Sequence, residues 1–168
     1  MTPRGITPEP AGPGQESVWD YPRPPRVEPS DEVVEVWLGD MCVARTQTSL
    51  RVLETSHPPT YYLPRSAWVP GALRLVPDRH SVCEWKGSAD YFDVVGGGRT
   101  APAAAWSYPS PRPGFAALVD TVAVMPGAVD RCLVDGEEVV PQEGGFYGGW
   151  ITSRVVGPFK GIPGSWGW

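Results

Sequence analysis

From Val33 onward, apolar residues recur in short runs broken by glycine, proline and Asp-Gly or Gly-Asp pairs, the rhythm of strands and tight turns. VVEVWLGDMCVAR reads as a hairpin turning at Gly39-Asp40, with Leu38 facing Met41, Trp37 facing Cys42 and Val36 facing Val43. Both faces then carry apolar groups, so cover is expected on each side. RCLVDGEEVV reads as a second hairpin, because Asp135-Gly136 suits a turn with positive φ at both positions. Arg131, Glu137 and Glu138 set this one nearer to water.

Between the hairpins, HPPTYYLPR is bounded by prolines and predicts an edge strand or extended loop. SLRVLET predicts one or two helical turns. YFDVV and TAPAAAWSYP predict two strands joined through Gly96-Gly97-Gly98, and the register assumed across that loop sets Tyr91 opposite Trp106. DTVAVMPG adds another strand. The pattern as a whole is that of an all-β chain, mainly antiparallel, with at most short helical turns.

The ends differ from the middle. Residues 1–16 are proline, glycine and polar residues without an apolar period and predict a disordered arm. Residues 17–32 predict an extended strap pinned by Trp19, Tyr21 and Val27, and residues 146–168 a tail that interleaves aromatics with glycines. Each tail tryptophan would bury roughly 150–250 Å² if docked, on its own domain or on a second copy of the chain. A length of 168 residues, 41% of them hydrophobic, allows one sizeable core, so residues 17–168 read as a single domain.

Composition then narrows the function. A formal net charge of −5 deprives the chain of a general attraction to nucleic acid or anionic membranes, so neither is an expected partner. There is no long apolar run and no hydrophobic leader at MTPRGITPEP, which predicts a cytoplasmic protein. Cys42, Cys83 and Cys132 lie far apart among apolar neighbours, as reduced, buried thiols would. They form no Cys-x-x-Cys or other paired set of cysteines, so no metal site and no cofactor is expected.

One stretch resembles a site: VCEWKGSADYF, with Lys86 between a tryptophan and a glycine. A phosphate-binding loop would need glycines before the lysine and a helix after it, and the covalent lysine of nucleotidyl-transferring ligases is followed by x-Asp-Gly; neither order is present. Gly96 to Gly98 lead into Ala-Pro and read as a plain turn. His57 and His80 read as hydrogen-bonded or solvated, and no nucleophile elbow occurs. An aromatic and polar constellation survives: Tyr62, Glu84, Trp85, Lys86, Tyr91, Trp106 and Tyr108 as ligand-binding residues, with Tyr61 as a neighbour. Trp106 and Tyr108 share a strand face, and such a stripe either fills a core or lines a pocket.

These strings also carry a resemblance. CEWKGSADYFDV, AAWSYPSP and VDGEEV resemble the domain-of-unknown-function family 427 (DUF 427) at Cys83, Trp85, Lys86, Gly87, Ala89, Tyr91, Trp106, Tyr108, Pro109, Pro111, Asp135 and Gly136. The ends, ESVWDYPRPPRVE and GGWITSRVVGPFKG, are similar to the longer actinobacterial version, which implies a bacterial source. Glu84 replaces the family's usual proline and brings a carboxylate within ion-pairing range of Lys86. The resemblance implies a β-tent-like fold, two antiparallel sheets meeting at an angle. It does not carry over the zinc of other β-tent proteins, whose Cys-x-x-Cys knuckles are missing here, and the family's nucleotidyltransferase-like label finds no support in these residues.

Three functional readings follow. The leading one is a small-molecule-binding domain with an aromatic-lined pocket and Lys86 as its polar anchor. A second is an enzyme using Lys86 or Glu84 as acid or base, with no catalytic residue assigned beyond that. A third is an assembly protein that forms a homodimer through its aromatic tail.

Overall fold

The computed structural model describes residues 2–168. In chain order its strands are β1 (Glu16–Ser17), β2 (Arg26–Pro29), β3 (Val34–Leu38), β4 (Met41–Thr46), β5 (Leu50–Leu53), β6 (Thr60–Pro64), β7 (Leu73–Cys83), β8 (Gly87–Gly96), β9 (Arg99–Ser107), β10 (Thr121–Val124), β11 (Arg131–Val134), β12 (Glu137–Glu138), β13 (Val140–Pro141), β14 (Trp150–Ile151) and β15 (Val155–Val156). Helical structure among the described residues is confined to 3₁₀ turns of 3 residues each. The chain is all-β.

Two antiparallel sheets form the body, one of 7 strands in the order β2-β5-β6-β10-β9-β8-β7 and one of 4 in the order β12-β11-β3-β4. Strand alternation sends Val34, Val36, Leu38 and Val43 of the smaller sheet inward, against Tyr61, Leu63, Phe92, Val94, Val122 and Val124 of the larger one. Every one of these is buried. Two short ladders complete the fold: β13 with β14, antiparallel, and β1 with β15, which is parallel and ties the strap to the tail.

The β3–β4 hairpin keeps the expected pairs Leu38↔Met41 and Trp37↔Cys42, but Val36 lies opposite Ala44 and not Val43. One extra residue in β4 makes a bulge here, which lets Val43 and Ala44 both point inward. Cover on each side is only half correct: the outer face leaves Trp37 half-buried beneath the Arg131 guanidinium, 4.7 Å from the ring centre. The Asp135-Gly136 turn has φ of 48° and 81°, as that dipeptide predicts.

SLRVLET is not helical. Leu50–Leu53 is a strand, because pairing on both sides, with β2 and with β6, outweighs weak local helical preference. Nor is TYYLP an edge: β6 lies inside the large sheet between β5 and β10. Its prolines bound the ladder instead of interrupting it, so they leave the interior hydrogen bonds intact.

Tyr91 does lie opposite Trp106. The hairpin that brings them there is not symmetric: Gly96 pairs with Arg99 across a Gly97-Gly98 turn, and a register shift between Phe92 and Val94 restores the pairing further down. This turn packs against the Gly39-Asp40 turn of the other sheet so closely that a Cβ on Gly39 would stand 2.8 Å from the Gly97 Cα. The two sheets touch backbone to backbone at this end.

The tail folds over its own chain. Trp150 is fully buried against Tyr61, ring centres 4.8 Å apart, and Gly148 lies against the Trp106 ring. Trp19 of the strap donates to the Pro158 carbonyl at 3.0 Å and its ring meets Trp168 at 5.6 Å. Within residues 1–16, the Glu9 amide donates to the Gly157 carbonyl at 2.8 Å and the Gln15 amide group to Ser153 at 2.9 Å.

Candidate functional site

The face of the large sheet turned away from the small one carries its own apolar cluster. Alternation puts Tyr62, Ala89, Tyr91, Trp106 and Ala123 on this side, whereas their neighbours Tyr61, Phe92 and Ala105 face the main core. Tyr61 is therefore not a neighbour of the cluster; its hydroxyl donates to Glu32 at 2.8 Å on the opposite face. Phe115 and Leu118, from the segment after β9, fold back and are buried over the cluster, and Tyr108 closes one side.

The turn Glu84-Trp85-Lys86 joins β7 to β8 at the margin of this face. Gly87 explains why it closes so sharply: its φ is 111°, and a Cβ there would stand 3.3 Å from the Ser110 carbonyl oxygen. The glycine after Lys86 thus serves the backbone and not a phosphate. Arg112 fastens the two segments, its amide donating to the Lys86 carbonyl at 3.0 Å and its guanidinium to the Glu84 carbonyl at 2.7 Å.

Lys86 is half-buried, with Nζ 5.9 Å from the centre of the Tyr108 ring and 3.8 Å from Cys83 Sγ, to which it donates. Its head turns back over the aromatic ring. Among the described residues no ion pair joins it to Glu84, whose side chain is exposed and which enters the site only through its carbonyl.

The rings divide by depth. Tyr62 and Tyr108 are buried, 6.4 Å apart, and burial raises both phenols well above their ordinary range, so they remain neutral donors. Trp106 donates to the Tyr62 hydroxyl at 3.3 Å and meets its ring edge-on at 6.5 Å. Trp85, Tyr91 and Trp106 are half-exposed at the rim. Tyr91 shares a 2.7 Å hydrogen bond with the Ser81 hydroxyl and has the Arg79 guanidinium 5.0 Å from its ring centre. Next to it, His80 and Asp90 pair at 3.1 Å.

The fold therefore brings Tyr62, Trp85, Lys86, Tyr91, Trp106 and Tyr108 together and leaves the Glu84 carboxylate outside. Ser81, Cys83, Arg79 and Arg112 were not legible as members of the group. Ser81 and Cys83 share this face with Ala89 and Tyr91 once the β7–β8 register is known, and Arg112 arrives from an irregular segment. Cys83 is half-buried and not enclosed, as is Cys42; Cys132 alone is buried, and all three thiols are free.

Two hollows lie elsewhere on the molecule. One of about 310 Å³ is walled by Glu16, Glu28, Glu32, Arg51 and Arg154, where Arg51 bridges Glu16 and Glu28 and Arg154 bridges Glu32 and Asp135. Another of about 210 Å³ lies between the first residues and the tail. Among the described residues no group of three or more His, Cys, Asp or Glu side chains is arranged to hold a metal ion, and no helix is long and apolar enough to cross a membrane.

Among curated proteins none matches this chain. The family described as a domain of unknown function (DUF427) matches residues 26–135, a span that contains the seven-stranded sheet, the Lys86 turn and the aromatic cluster. With more than half of its length matched, the chain belongs to the DUF427 family.

Proposed function

We propose that this protein binds a small anionic ligand with a flat, unsaturated body on the aromatic rim beside Lys86. One observation carries the reading: Arg79, Lys86 and Arg112 each stand at this rim without a carboxylate partner among the described residues, in a chain whose net charge is −5. Half-exposed Trp85, Tyr91 and Trp106 offer faces on which a planar group stacks. Lys86 supplies a charge-assisted hydrogen bond from above the Tyr108 ring, and buried Tyr62 and Tyr108 back the platform. With Trp85, Tyr91 and Trp106 half-exposed, stacking and charge supply the affinity. Free cysteines accord with the cytoplasmic setting in which such a metabolite would be met.

Acid–base exchange between Lys86 and Glu84 has less in its favour, since the two side chains make no ion pair.

A thermal-shift panel of aromatic carboxylates, nucleotides and neutral cyclic imides tests the proposal. At 100 times Kd, a true ligand stabilises the fold by about 2.7 kcal/mol. The anions are expected to raise Tm, and Lys86→Met to abolish the rise without altering the far-UV spectrum, while Lys160→Met leaves it intact. Equal shifts from neutral compounds, or none from the anions, would remove the reading.

A further inference from the structure

Apart from the aromatic rim, the tail borders a hollow of its own. The hollow of about 210 Å³ is lined by Ile151, Pro158, Phe159 and Ile162 together with Glu9 and Glu143, both exposed. Glu9 is oriented by the Gly157 amide, which donates to its Oε2 at 3.4 Å. Neither carboxylate takes part in an ion pair among the described residues. A hollow lined by apolar side chains and by two acidic residues outside any ion pair complements a long aliphatic stem that ends in a cation.

Size and surroundings point to a side chain and not to a free metabolite. Small-ligand pockets usually begin near 300 Å³, and this hollow is smaller. Two large rings flank it along the chain: Phe146, three positions after Glu143, and Trp166, four after Ile162, are 76% and 75% exposed. Both lie on Tyr147, at 5.2 and 6.5 Å between ring centres. Two rings of roughly 150–250 Å² each fall well short of the ~800 Å² per partner that a stable dimer buries, so a second copy is a poor occupant. The net charge of −5 also opposes self-association and attracts a basic partner.

We infer that this surface docks a short basic peptide segment of a partner protein, one lysine or arginine stem entering the slot between Glu9 and Glu143 while flanking residues rest on Phe146 and Trp166.

NMR of the full chain, following the methyl groups of Ile151 and Ile162 and the Trp166 indole, tests this with four probes: the blocked pentapeptide Ac-Ala-Leu-Lys-Leu-Ala-NH2, its Lys→norleucine analogue, n-pentylammonium and n-pentanol. The lysine peptide is expected to shift these signals saturably, more strongly at about 0.01 M than at about 0.15 M ionic strength. Glu143→Gln and Glu9→Gln, both at exposed positions, should each weaken it roughly two- to five-fold, as removal of one exposed charge contact does. The Phe146→Ala, Trp166→Ala double variant should weaken the peptide and leave pentylammonium unchanged. If pentylammonium binds as tightly as the peptide, the slot takes a free amine and the docking inference fails. It fails equally if the norleucine peptide or pentanol gives the same shifts, if no probe moves the signals, or if they move with protein concentration alone, which would assign the surface to a second copy.

Discussion

Lys86 owes its surroundings to the glycine that follows it. Gly87 holds φ at 111° and lets the Ser110 carbonyl pass within 3.3 Å of where a Cβ would stand, so the segment bearing Tyr108 and Arg112 closes onto the turn. The lysine head then lies over the Tyr108 ring instead of projecting freely into water. Gly87→Ala is expected to destabilise the protein by about 1 to 3 kcal/mol through backbone strain. Urea denaturation measures the loss, and a variant of unchanged stability would show that the turn tolerates a side chain. The sequence could name Lys86 and the rings around it by residue type, but not the direction of its ammonium group, which depends on a loop 22 to 26 residues further along, from Tyr108 to Arg112.

At the scale of elements, strand period was the readable quantity and neighbourhood was not. Alternation put Trp106 and Tyr108 on one face, whereas the pairing of Tyr91 with Trp106 rested on an assumed register and holds only through the shift between Phe92 and Val94. It could not reveal that Gly96 and Gly97 form a contact between sheets, since nothing local marks the approach of the Gly39 turn from a distant hairpin. Gly97 has φ of 55° and no room for a Cβ against Gly39. Gly97→Ala should therefore cost about 2 kcal/mol or more, by strain and by forcing the two turns apart. Gly98 has a similar φ of 75° with open space around its Cβ position, so Gly98→Ala should cost less. Thermal unfolding of the two variants gives the comparison, and an equal loss would mean that backbone conformation alone is responsible. SLRVLET and TYYLP show the converse limit: each is short, and its state was set by partners on both sides.

For the whole molecule, His57 couples the tail to the sheets. Burial pushes its imidazole down to about 4; Glu54, 3.6 Å away, works against this, while Lys160 and Arg23 add to the depression. The hydrogen bonds agree with a neutral ring. The Gln142 side-chain oxygen accepts from the Gly149 amide at 3.1 Å and its nitrogen donates to the Lys160 carbonyl at 2.7 Å, so the same nitrogen donates to His57 Nδ1 at 3.0 Å. Tyr147 covers the ring edge-on at 5.0 Å. In the unfolded chain the group titrates near 6.5, so below that pH the unfolded state binds the extra proton. Stability from this site is fully present above about 6.5 and is lost as pH falls toward about 4, by up to about 3 kcal/mol. Urea midpoints for the wild type and His57→Gln between pH 7 and 4.5 check this: the wild type should lose stability more steeply, and parallel curves would mean that His57 is not the acid-sensitive group.

What the sequence determined by itself was therefore local: the all-β character, the Asp135-Gly136 turn, the strand faces and the residue types of the aromatic cluster, because period and turn chemistry act over a few residues. Only tertiary structure decided which face of the large sheet the cluster occupies, that the Glu84 carboxylate stands apart from Lys86, and that Arg79 and Arg112 join the rim. It also decided that Glu9 and Glu143 line one hollow with residues of the tail. These depend on strand order and on irregular segments returning from far along the chain, where position is set by burial and by the packing left open by everything else, and no short-range pattern records it.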